Sequence, residues 1–169
     1  SGLVATYRKL HLFNTEKEYF DPGNTPLRTL DIGGTKIGVM ICFDWAFPEV
    51  ARVLALQGAD LICHPSNLVL THCQKAMLTR SLENSVYSIT ANRTGKESRP
   101  SGQLLFTGNS QIVGPKGNIL SQSDAETDEV VVQEIEPAAA RNKSITSNNN
   151  LLSDRRSEFY TSIAHEQCG

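Results

Sequence analysis

Two rhythms alternate along the first hundred residues. The run KIGVMICF at 36–43 is apolar and rich in β-forming residues, and DLICHP at 60–65 and SVYSITAN at 85–92 have the same character, which predicts three interior strands. Helical patterns lie between them. In PEVARVLALQG, Pro48 suits a first helical turn, Val50, Val53 and Leu54 fall on one face, and Gly58 supplies a stop. In THCQKAMLTRSLEN, Ala76, Met77 and Arg80 to Glu83 keep the helical period. Strand, helix, strand, helix, strand predicts an α/β fold.

Beyond residue 100 the rhythm shortens. NSQIVGPKGNILSQ reads as two short strands around a Pro-Lys-Gly-Asn turn, and DEVVVQEI as a third, which together make a meander at the sheet edge. Gly33 and Gly34 form a hairpin turn; no helix or Lys-Ser/Thr follows in the register of a phosphate loop. TGKESRPSGQ at 94–103 is a loop by composition, of the length that often borders a site. From Pro137 onward the chain is polar and poorly periodic, so residues 137–169 are expected to be an extended arm with a short helix, belonging to the same single domain, 1–169. At the other end LVATYRK looks like the second half of a strand, and the chain is expected to begin in mid-fold.

Composition narrows the function classes. A chain of 169 residues and 18.5 kDa suits one domain with a real core. With 39% hydrophobic and 20% charged residues and a net charge of -2, it has no basic excess of the kind that nucleic acid or an anionic membrane calls for, and neither is expected as a partner. No apolar run approaches the ~20 residues of a membrane span, and the opening residues lack a signal-peptide pattern, so a soluble cytoplasmic protein is expected. Cys42, Cys63, Cys73 and Cys168 are irregularly spaced and read as free thiols. CHPSNLVLTHC at 63–73 clusters Cys63, His64, His72 and Cys73, but its spacing fits no standard zinc set, and no metal is expected.

The chemistry centres on GVMICFDWAFPE at 38–49, where Cys42 ends an apolar run shortly before a helix start. That is where α/β enzymes present nucleophiles, although on spacing alone a small packed side chain is the simpler reading. A catalytic thiol also needs a base or a positive field beside it. The company of Cys42 shifts the balance. YRKLHLF at 7–13, EKEYFDPG at 16–23 and GVMICFDWAFPE are followed in order by HPSNLV at 64–69, RSLENSVYSITANRTG at 80–95 and TGNSQIVGPKGNIL at 107–120. Together they resemble the nitrilase superfamily of carbon-nitrogen hydrolases, from about Tyr7 to the DRRSEFY near the end.

The resemblance implies a four-layer α-β-β-α sandwich, incomplete at the N-terminus, that assembles as a homodimer or higher oligomer. It implies hydrolysis of a small amide or nitrile to a carboxylic acid and ammonia through a cysteine thioester, with no cofactor; Cys-Phe-Asp after the strand points to the amidase-like branch. Cys42 maps to the nucleophile, Lys9 to the catalytic lysine, and Glu16 to the second glutamate, which orients the others. The backbone N-H of Phe43 would help hold the oxyanion, Asn67 would lie near the substrate, and Trp45 would line the pocket or fill the core. The family's principal glutamate, the general base, lies well upstream of the lysine, and only eight residues precede Lys9 here. The alternative expectation is therefore a catalytically incomplete fragment or scaffold.

The remaining candidates read as structural. Glu49 suits a helix N-terminal charge, His11 a hydrogen-bonded structural histidine, and Arg80, Glu83 and Asn84 a polar cluster on one helix. Ala46 stands where the family often has arginine.

Overall fold

The three apolar runs become neighbouring strands of one sheet. The computed structural model describes residues 2–100 and 102–164. A helical turn, α1 (Glu16–Tyr19), precedes the Gly33-Gly34 hairpin of β1 (Leu30–Ile32) and β2 (Thr35–Val39). Both turn glycines have left-handed φ, 63° and 84°, which a side chain at either position would disfavour. Then come α2 (Pro48–Leu56), β3 (Leu61–Ser66), α3 (Cys73–Asn84) and β4 (Tyr87–Asn92). A separate hairpin pairs β5 (Lys96–Arg99) with β6 (Gly102–Leu105), and β7 (Gln111–Val113) and β8 (Ile119–Gln122) complete the main sheet in the order β1-β2-β3-β4-β7-β8. The β2-β3 and β3-β4 pairs are parallel, joined by helical crossovers, while the outer pairs are antiparallel. The described residues thus supply a helix layer and a mixed sheet.

Period-two alternation divides the side chains between the two faces of the sheet. On the helix side Met40 and Ile62 pack with Val50, Ala51, Leu54 and Ala55 of α2 and with Cys73 and Met77 of α3. Helix α2 comes close to β2: a Cβ on Gly38 would meet Leu54 Cδ1 at 2.9 Å. The inward stripe of α2 runs through Val50, Ala51, Leu54 and Ala55, so Val53, expected on that face, is 36% exposed. On the other face, Leu61 and Tyr87 pack with Ile37, Cys63 and Ile89 and are met by Ile135 and Ala140.

Three further expectations change. The stretch 128–135 is not a strand: among the described residues its backbone pairs with no strand, and Val130 and Val132 are 92% and 90% exposed. The loop expected at 94–103 contains the β5-β6 hairpin, in which Lys96 pairs with Leu105 and Glu97 with Leu104. The arm from 137 starts as a docked helix, α4 (Pro137–Arg141), followed by 3-10 turns at Ser157–Phe159 and Thr161–Ala164. Cys168 lies outside the described residues. None of the described helices is long and apolar enough to cross a membrane.

Side chains clamp the start of the arm to the sheet. Arg141 donates from Nε and Nη2 to the two carboxylate oxygens of Asp60, both at 3.0 Å, and Lys143 Nζ donates to the carbonyls of Asn84 and Ser85 at the end of α3. Asp60 also accepts the Lys36 N-H at 2.9 Å. These donors outweigh burial and hold the Asp60 carboxyl below its ordinary range. The stabilisation is therefore present above the unfolded-state value and is lost as pH falls through the lower folded value. Asp60→Ala is expected to lower stability by about 1–2 kcal/mol at pH 7, a figure discounted because Arg141 is half in water. Urea unfolding should show the difference shrinking below pH ~4; an equal difference at low pH would contradict the clamp.

Candidate active site

The apolar run predicted as one strand stops at Val39, and the backbone changes hand three residues later. Ile41 is extended, Cys42 has φ 45°, and a 3-10 helix, Cys42–Ala46, begins at once. A side chain in the left-handed region costs roughly 1–3 kcal/mol and persists only where the surroundings impose it. Here β3 supplies the constraint. His64 is buried on the helix side of the sheet, and its Nε2-H donates to the Cys42 carbonyl at 2.8 Å. Because the carbonyl can only accept, Nε2 carries the proton, leaving Nδ1 to accept from the Thr90 hydroxyl at 3.1 Å. Burial keeps the pKa of His64 below its usual value, against the opposing pull of the Cys42 carbonyl and Asp44, so the ring works as a neutral prop.

Around the thiol lies a small cleft lined by Phe13, Phe43, Trp45 and the segment Asn67, Leu68, Val69 and Leu70. Cys42 Sγ lies 4.0 Å from the Asn67 carbonyl oxygen. Trp45 both lines this cleft and packs on the helix-side core. Lys9 and Glu16 form an ion pair. Glu16 Oε2 also accepts the Phe13 N-H at 2.7 Å, and the Phe13 ring packs 5.0 Å from that of Phe43, the residue after the cysteine. The Lys9–Glu16 pair is thus tied to the cleft through Phe13, although the lining contains neither Lys9 nor Glu16.

The structural readings of the other polar residues hold. His11 bonds Asp44 at 2.8 Å and stacks on Phe47 with ring centroids 3.6 Å apart. Glu49 lies exposed in the first turn of α2. Arg80 pairs with Glu83 at 3.0 Å, and Asn84 donates to the Arg80 carbonyl. Among the described residues no group of three His, Cys, Asp or Glu side chains is arranged to hold a metal ion. Burial pushes the Cys63 and Cys73 thiols up, with a smaller contribution from Cys42 at Cys73, so both stay protonated at neutral pH.

Two buried residues here were not visible as site residues in the sequence. His64 appeared within a tempting metal cluster and at the head of HPSNLV, with no role of its own. Asp44, 0% exposed, entered only as part of Cys-Phe-Asp, and its one signal is a carboxylate set among Phe43, Trp45 and Phe47.

Comparison with known proteins adds an independent line. The family model for carbon-nitrogen hydrolase matches residues 1–143. A protein described as a nitrilase from Pyrococcus abyssi is 49% identical over 159 residues, which are 94% of this chain and 59% of the relative. Among solved structures, a carbon-nitrogen hydrolase from Helicobacter pylori G27 superposes with a TM-score of 0.83 at 27% identity, covering 95% of this chain and 60% of that one. A mutant amidase from Nesterenkonia sp. AN1, showing the result of Michael addition of acrylamide at its active-site cysteine, matches with a TM-score of 0.78 and 32% identity over 95% of this chain and 58% of its own. The chain therefore spans about three-fifths of the length of the relatives it matches.

Proposed function

The chain belongs to the carbon-nitrogen hydrolase family, and from that premise we propose that it hydrolyses a small amide through a thioester on Cys42. The observation that carries this reading is the backbone at Cys42: a left-handed residue beyond the end of a strand, its carbonyl held by a neutral buried histidine, with its thiol facing a cleft. Such a turn aims a side chain away from the sheet at an energetic cost that core packing alone does not require.

The roles follow from the chemistry. The Cys42 thiolate attacks the amide carbon, forming the C-S bond as the carbonyl pair moves onto oxygen. The Lys9 ammonium and the Phe43 N-H stabilise that oxyanion; Phe43 stands in the first turn of a 3-10 helix, where N-H groups lack helical partners. The C-N bond breaks as the amide nitrogen takes up the proton that the thiol released and leaves as ammonia, and water then cleaves the C-S bond to give the acid, returning a proton to the sulfur. Glu16 orients Lys9, to which it is paired. Asn67 and Trp45 border the acyl group. An amide rather than a nitrile is favoured by Cys42-Phe43-Asp44 and by the acrylamide adduct of the Nesterenkonia amidase. The same reading takes 1–169 as one domain, assembled as a homodimer or higher oligomer in the cytoplasm.

A second reading, a scaffold that binds amides without turnover, has one observation in its favour: among the described residues no carboxylate hydrogen-bonds the Cys42 thiol. The expected outcome with acetamide, propionamide and butyramide is ammonia release matched by acid, first order in enzyme. Acrylamide labelling of Cys42 without any ammonia would favour the scaffold. If Cys42 labels no faster than Cys63 or Cys73 by peptide mass spectrometry, both readings fail, because neither burial-raised thiol belongs to a site.

A further inference from the structure

Asp44 is a fully buried carboxylate, and its surroundings explain how it can be charged there. Oδ1 accepts the His11 N-H at 3.1 Å and the His11 Nδ1-H at 2.8 Å, while Oδ2 accepts the Tyr7 hydroxyl at 2.7 Å and the Ile41 N-H at 2.9 Å. A buried carboxylate is tolerated when its lone pairs are met, and these four donors meet them. Their positions in the chain matter more than their number. Tyr7 and His11 stand two residues before and two residues after Lys9, and Ile41 immediately precedes Cys42. One side chain therefore fastens the backbone on both sides of the lysine to the backbone entering the nucleophile turn.

Other contacts lie along the same seam. The His11 ring stacks on Phe47, and Phe13 packs against Phe43, so residues 7–13 run beside residues 41–47. From the far side the Gly23 N-H donates to the Lys9 carbonyl at 2.7 Å, and a Cβ on Gly23 would collide with the Arg8 carbonyl. Burial, with Asp44 adding to it, holds the Tyr7 phenol far above its ordinary pKa, so Tyr7 stays a donor.

We infer that Asp44 is the positioning residue of the site: through Tyr7, His11 and Ile41 its carboxylate holds the Lys9 segment against the Cys42 turn. It touches no substrate and acts through Lys9. This inference rests on the hydrolase reading, in which Lys9 serves Cys42. Asparagine at this position brings an amide N-H2 against N-H donors, and the fastening opens on the side it faces.

The test is the pH profile of iodoacetamide alkylation at Cys42, followed by peptide mass spectrometry on the whole chain, with Cys63 as the internal control for folding. Lys9→Ala is expected to slow alkylation at pH 7 about tenfold, through loss of the positive field beside the thiol. Asp44→Asn is expected to do the same through loss of Lys9 alignment. The sign is diagnostic, because removing a negative charge near a thiol without moving Lys9 lowers its midpoint instead. In the Lys9→Ala background, Asp44→Asn should add almost nothing. Tyr7→Phe and His11→Gln leave the carboxylate in place, should each slow Cys42 several-fold, and carry the test if Asp44→Asn exposes Cys63 by unfolding. A midpoint that falls, parent-like rates in all three clasp variants, or losses that multiply in the Lys9→Ala background overturn the inference. If Lys9→Ala itself leaves Cys42 unchanged, the hydrolase reading fails with it; if Lys9→Ala slows Cys42 and the clasp variants do not, only the clasp fails.

Discussion

Replacing Cys42 by alanine is expected to reduce acrylamide capture and any amide turnover by about 10³-fold or more, to the background of the buried thiols, while shifting the unfolding free energy by less than about 1 kcal/mol. The two numbers differ because the residue is only partly buried, at the margin of the helix-side core. Its side chain is partly exposed, the Asn67 carbonyl oxygen lies 4.0 Å from its sulfur, and alanine tolerates φ 45° no better and no worse than cysteine does. Glycine separates conformation from chemistry further. Cys42→Gly relieves the left-handed strain and is expected to be about 0.5–1 kcal/mol more stable than Cys42→Ala while equally inactive. A residue held in a conformation that glycine accommodates better has been kept for something other than folding. Urea unfolding and adduct mapping on the three proteins check both halves, and a glycine variant less stable than the alanine one would remove the strain argument.

His64→Ala is expected to be the most damaging of the single changes to the fold, at about 3 kcal/mol, from a cavity on the helix side of the sheet together with an orphaned Cys42 carbonyl and an orphaned Thr90 hydroxyl. Its pH signature identifies the cause. The folded-state pKa of His64 is lowered by burial, so the unfolded chain binds the proton more readily. Stability is then full above the unfolded value near ~6.5 and declines as pH falls below it. Unfolding at pH 5 and pH 7.5 should show that decline steeper in the parent than in His64→Ala. The variant should also alkylate Cys42 more slowly at neutral pH, because the turn loses its brace; an unaltered rate would mean that the turn holds without His64.

The core of this architecture was legible because it depends on local periodicity. The runs at 60–65 and 85–92 became β3 and β4 within one or two residues, Pro48 and Gly58 bracket α2, and the meander strands β7 and β8 flank the expected turn. What failed depends on partners that periodicity does not carry. Val130 to Val132 have strand propensity but pair with no strand among the described residues, whereas Lys96–Arg99, polar enough to read as loop, pairs with Gly102–Leu105. Cys42, Lys9 and Glu16 are proposed as site residues from ordered motifs. Asp44 and His64 are not, because their importance lies in hydrogen bonds spanning 22 to 37 residues of chain, which no local pattern encodes. A buried aspartate beside a nucleophile turn and an exposed aspartate in a surface turn are spelled alike.

At the centre of the proposal stands the joint service of one cleft by the sulfur of Cys42 and the ammonium of Lys9, and o-phthalaldehyde tests it directly, since it closes a fluorescent isoindole only between a thiol and a primary amine in near contact. The expected result at pH 8 is one isoindole per chain, mapped to the peptides that carry Cys42 and Lys9 and absent from Cys42→Ala and Lys9→Ala. A Cys42 that alkylates readily yet forms no bridge, or bridges to a different lysine, would contradict it.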